Sequence, residues 1–164
     1  MERDAFQPNE SINFRLSIDN TKCSQSINGF KCKLFREMRA WTQTKIEFVD
    51  KVELIKIKFT DVVPAQGSLK RDIQFNLSQI NLHNIYIEMF KAKKPHIVEE
   101  LKHWLLMIQQ SLKTDNLECK YYIECEFKGS SIVSNSLPTI TVPVQIYYHN
   151  NMFTDLQVIP QPFP

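Results

Sequence analysis

Only three glycines occur among the 164 residues, and no GxGxxG, Walker-type loop, GxSxG or HExxH is present. A backbone cradle for phosphate needs glycines where the chain must turn tightly against the ligand, so three of them leave little scope for such a cradle. No apolar run reaches the 18 residues of a membrane-spanning helix, and the opening MERDAFQPNES carries no apolar segment of a secretory signal. Charge of one sign is also missing. Twenty basic residues against 18 acidic ones leave a net charge of +2, too small a field to imply nucleic acid or an anionic membrane. These absences predict an intracellular, soluble chain. Sequons at Asn9-Glu10-Ser11 and Asn76-Leu77-Ser78 keep a secreted or surface binding domain as the alternative.

Large side chains are abundant. Eleven Phe, five Tyr and two Trp within a 43% hydrophobic composition suffice for one buried core without cross-links. Alternation is the dominant pattern. In SINFRLSID, Ile12, Phe14, Leu16 and Ile18 share one parity, the signature of a half-buried strand that closes at the polar Asp19-Asn20-Thr21. After Asn28-Gly29, Phe30, Cys32 and Leu34 alternate with Lys31, Lys33 and Phe35. In KIEFVDKVELIKIKFT the apolar phase slips near Leu54-Ile55, which predicts a bulge or a break. A turn at Pro64–Gly67 leads to a strand carrying Ile73, Phe75 and Leu77.

The two-residue rhythm then stops. Ile97, Leu101, Trp104, Leu105, Ile108 and Leu112 recur at helical spacing, with Pro95 at the start, acidic Glu99-Glu100 early and Lys113 late, which predicts an amphipathic helix over 95–113. Alternation resumes in LECKYYIECEF and again in LPTITVPVQIYY, where Pro143 cannot donate to a ladder and marks an edge or a bulge. The expected organisation is an N-terminal extension (1–7), one sandwich with a helical insertion (8–150) and a proline-rich tail (151–164).

No catalytic, cofactor or metal site is expected. Zinc ligands come in close pairs, whereas Cys23/Cys32 and Cys119/Cys125 are separated by eight and five residues, and no histidine pair accompanies them. Cys119 and Cys125 share the apolar parity of one strand and stand about 20 Å apart, so they cannot bond to each other. Pairing to Cys23 or Cys32 stays open beside the commoner buried, reduced thiol. His83, His96, His103 and His149 lack a nucleophile or carboxylate in motif spacing. Two interaction candidates remain. Lys31, Lys33, Arg36 and Arg39 form the most basic local cluster, either a solvated strand face or a site for an acidic peptide, phosphoinositide or phosphorylated tail. In the tail, Phe153, Leu156, Val158 and Ile159 suit addition to a neighbour's sheet edge or groove.

The order of segments resembles the C-terminal lobe of arrestin-fold proteins. PNESINFRLSIDN resembles its opening turn and first strand, and INGFKCKLFRE the strand that follows. LECKYYIECEF resembles its tyrosine-pair strand, and LPTITVPVQIYY its near-terminal strand with a valine-proline centre. Asn9 stands where the family turn usually has glycine, and residues 79–116 exceed the usual loop. The resemblance implies an all-β, immunoglobulin-like (arrestin-type) β-sandwich with one inserted helix. It also implies a non-enzymatic, cytoplasmic adaptor or scaffold that binds other proteins, such as cytoplasmic tails or complex subunits. Endosomal sorting is a specialisation of that role, with membrane association only through partners and no nucleic acid. A structural subunit of a larger assembly is the other reading.

Overall fold

The structure, a computed structural model, describes residues 4–41, 46–80, 110–129 and 138–147. Eight strands and one 3₁₀ turn occupy these residues: β1 (Ala5–Phe6), β2 (Ser11–Asp19), β3 (Ile27–Trp41), β4 (Ile46–Phe59), β5 (Ser68–Asn76), the 3₁₀ turn (Leu77–Gln79), β6 (Leu112–Lys113), β7 (Leu117–Gly129) and β8 (Ile140–Ile146). One sheet runs β1-β8-β7-β3-β4 with β6 beside β7, and the second sheet pairs β2 with β5. Alternation dictates this two-layer arrangement, because each strand has one apolar side to bury.

The predicted parities set the core. Ile12, Leu16 and Ile18 of β2 and Ile73 and Phe75 of β5 meet Phe30, Cys32, Leu34 and Met38 of β3 and Cys119, Tyr121, Ile123 and Cys125 of β7 in one cluster. The predicted slip in β4 is a bulge. Pairing with β3 jumps from Leu34↔Ile55 to Phe35↔Glu53, making Leu54 the extra residue. Val52 and Leu54 before the slip and Ile55, Ile57 and Phe59 after it can therefore all face the core. β1 runs parallel to β8 and reaches only Gln145 and Ile146. At Pro143, β8 therefore has β7 on one side and, among the described residues, no partner on the other.

Three features differ from the sequence-based expectations. Asn28-Gly29 does not precede β3 but forms a bulge inside it, where pairing with β7 shifts between Ile27 and Phe30. Gly29 adopts φ 127°, and a Cβ there would stand 2.6 Å from the Phe59 carbonyl oxygen, so only glycine fits. Leu112 and Lys113, expected to end a helix, form β6 against Cys119 and Glu118. Two residues paired to an existing strand edge follow the ladder rather than the helical period. Gln110 and Ser111 are in neither helix nor strand, and the rest of that predicted span, residues 95–109, lies outside the described residues. Finally, Ala5–Phe6 lie within the expected extension but form β1, with Phe6 buried.

The turn after β2 is held by Asn20. Its side-chain amide donates to the Gln25 and Pro64 carbonyls at 2.8 and 2.9 Å, and its backbone N–H donates to Gly67. Buried amides require such partners, which explains an asparagine where the strand ends.

Candidate interaction face

The parity that buries one side of β3 and β7 presents the other as a charged ladder. Across the β3–β7 pair, Lys31 faces Glu126, Lys33 faces Glu124, Phe35 faces Tyr122, Glu37 faces Lys120 and Arg39 faces Glu118. Opposite charges placed across strands attract, so the ladder also secures register. Lys31 pairs with Glu126 at 2.6 Å, and Lys33 pairs with Glu126 and approaches Glu53 at 3.8 Å. Hydrogen bonds from Lys31 and then Lys33 hold the Glu126 carboxyl down at about 2. Burial pushes Glu37 upward, but Lys120 at 3.2 Å and Arg39 at 2.5 Å outweigh it and keep its carboxyl below the usual range. At the centre Phe35 stacks on Tyr122 with centroids 5.5 Å apart, and the Lys51 ammonium sits 4.4 Å from the Phe35 ring.

The basic cluster expected on this face is divided by the strand. Lys31, Lys33 and Arg39 share the outer parity. Arg36 does not: it faces Tyr121 across the β3–β7 pair on the core side, fully buried, with its guanidinium 3.5 Å from Asp50. Burial pushes the Asp50 carboxyl up, and the Arg36 charge offsets part of that rise. Arg36 is therefore an internal residue, not a surface contact. The physical reason is the parity that carries Phe30, Cys32 and Leu34 inward, since position 36 belongs to the same series.

Where β3 begins and β4 and β7 end, an open cleft of about 460 Å³ is lined by the Asn28-Gly29 bulge, Lys31, Lys58, Lys128, Glu126 and three phenylalanines. Phe30 and Phe59 stack with centroids 4.6 Å apart, and Phe127 lies 6.2 Å from Phe30. Lys31 and Lys58 are directly opposed in register, a like-charge placement that costs stability unless an anion lies between them. Glu126, the single carboxylate lining the cleft among the described residues, is engaged by Lys31 and Lys33. Lys58 and Lys128 are exposed.

Lys58 and Lys128 were not among the sequence candidates. The available signal was their outward parity next to Phe59 and Phe127; their convergence requires the β3–β4 and β3–β7 registers together. Phe153, Leu156, Val158 and Ile159, and all four histidines, lie outside the described residues. Among the described residues no group of three or more His, Cys, Asp or Glu is placed to hold a metal ion. No helix among them is long and apolar enough to cross a membrane.

A search of curated proteins finds no match. Among solved structures, the sporulation control protein Spo0M from Bacillus subtilis is similar, with a TM-score of 0.57 and 9% sequence identity over 90% of this chain and 47% of Spo0M. This chain spans about half the length of that protein, and at such identity the likeness concerns the fold alone. The family described as "Arrestin (or S-antigen), C-terminal domain" matches residues 1–151. With the two-layer strand arrangement, the inward parities and a match over nearly the whole chain in agreement, the chain belongs to the arrestin C-terminal domain family.

Proposed function

We propose that this domain is a non-enzymatic protein-binding module, an arrestin-like adaptor or scaffold. It acts in the cytoplasm in membrane-protein trafficking, with endosomal sorting as its specialisation, and meets membranes through its partners. Domains of this family are typically protein-interaction adaptors, which supports the general role. The observation that carries the specific reading is the cleft at the end of β3, β4 and β7. Lys31, Lys58 and Lys128 line it from the outward parity, Phe30, Phe59 and Phe127 line it from the inward one, and Glu126, its carboxylate among the described residues, is already paired. Such a site suits an acidic segment of a cytoplasmic tail: the lysines attract and orient the charges, and the phenylalanines take an apolar flank.

The test is fluorescence anisotropy with a labelled acidic peptide carrying one aromatic residue. Binding should weaken by about tenfold or more in Lys58→Glu/Lys128→Glu and fall steeply with added salt. Unchanged binding by the double variant, or equal affinity for a neutral peptide of the same length, rejects the cleft. For the trafficking role, affinity purification from cells should recover membrane-protein tails or sorting-complex subunits; their consistent absence counts against it.

A further inference from the structure

The predicted separation of Cys119 from Cys125 leaves open which sulfur lies near Cys125, and the β3–β7 register answers it. Cys32 and Cys125 are directly opposed on neighbouring antiparallel strands, with Sγ atoms 3.2 Å apart. Both are buried, at 0% and 3% exposure. Opposed residues in antiparallel strands have Cα atoms roughly 4.5 to 5.5 Å apart, within the roughly 4.4 to 6.8 Å that a disulfide spans. The remaining gap between the sulfurs is small enough to close by side-chain rotation. Cys119 has no such neighbour, since Met38 and Leu112 are its register partners, and Cys23 lies exposed in the turn region after β2.

We propose that Cys32 and Cys125 form an oxidisable dithiol, which a peroxide converts into a disulfide between β3 and β7. The two thiols share a hydrogen bond in which either sulfur can donate, so whichever of them ionises is stabilised by the S–H of the other and is the first nucleophile. That thiolate attacks the peroxide: a sulfur–oxygen bond forms, the oxygen–oxygen bond breaks, and one water leaves with the thiol proton. The partner sulfur then attacks the oxidised one, the sulfur–sulfur bond forms as the sulfur–oxygen bond breaks, and the oxygen leaves as a second water with the partner's proton. Two thiols lose two electrons and hydrogen peroxide gains them, giving two waters. The staple joins strands at the centre of the larger sheet, between residues 93 positions apart. Peroxide is small enough to follow local openings of the sheet, so the buried pair should react more slowly than exposed Cys23.

The experiment treats the reduced full chain with hydrogen peroxide, alkylates it under denaturing conditions without reductant, and maps the peptides. The expected result is one intrachain link between the Cys32 and Cys125 peptides, with Cys119 still alkylated and the link removed by added thiol. Cys32→Ser should abolish the link and leave a sulfenic acid on Cys125 that dimedone traps. Should that variant fold poorly, the wild-type map decides alone. Cys32 and Cys125 both remaining alkylated after Cys23 has been oxidised, or a link from either of them to Cys23 or Cys119, overturns the proposal.

Discussion

Lys33 and Arg36 are two cations three residues apart on β3, yet they meet opposite environments. Lys33 lies on the outer face with Glu126, Glu53 and Glu124 around it, each opposite charge within 4.0 Å and partly open to water. Arg36 lies on the inner face, fully buried among apolar neighbours, with Asp50 as its charged companion. On the outer face, water screens each pair, so no single partner matters much and the ladder acts mainly through register. On the inner face both charges have left water, and removing either takes a buried counter-charge from the other. The same residue class therefore carries specificity of pairing outside and a large conditional cost inside.

The largest effect should come from breaking the inner pair. Arg36→Ala leaves Asp50 buried without its guanidinium and should destabilise the domain by about 3 to 5 kcal/mol, read from urea unfolding midpoints. The double change Arg36→Met/Asp50→Leu should recover most of that loss; a double variant as unstable as the single one would mean that the pair, and not merely its balance, supports the fold.

An inner-face change without charge should be smaller. Cys119→Ala removes a sulfur from the core beneath β7 and should cost about 1 kcal/mol or somewhat more, while leaving acidic-peptide binding unchanged. Loss of binding with full stability would place that strand face in the recognition site.

The smallest effect belongs to the outer ladder. Glu126→Gln should cost less than about 1 kcal/mol, and added salt should erase most of the difference. Acid separates the two faces by sign. Glu126 is held at about 2 against an ordinary 4.5, so the stability it contributes is present above 4.5 and is lost as pH falls from there towards 2. The Asp50 carboxyl is raised by burial, so its contribution runs the other way and becomes more favourable as pH falls through its raised value towards its ordinary 3.8. Unfolding measured across this range should show the wild-type advantage over Glu126→Gln shrinking below pH 4.5. An advantage constant with pH would remove Glu126 from the acid response.

Residue alternation by itself determined most of this fold. The period-two runs located β2, β3, β5, β7 and β8, the slip at Leu54-Ile55 located the β4 bulge, and Pro143 located the partly open edge of β8. It also placed Cys119 and Cys125 on the buried side of β7. Burial follows parity on a pleated strand, and parity is local, so one chain segment suffices to read it. The inward position of Arg36 was equally local, yet grouping it with Lys31, Lys33 and Arg39 by nearness along the chain set that parity aside. What only the tertiary structure decided are the meetings between strands: Asp50 beside Arg36, Lys58 and Lys128 beside Lys31, and Cys32 opposite Cys125. Those depend on register and strand order, which are set by pairing residues far apart in sequence, and no local pattern records them.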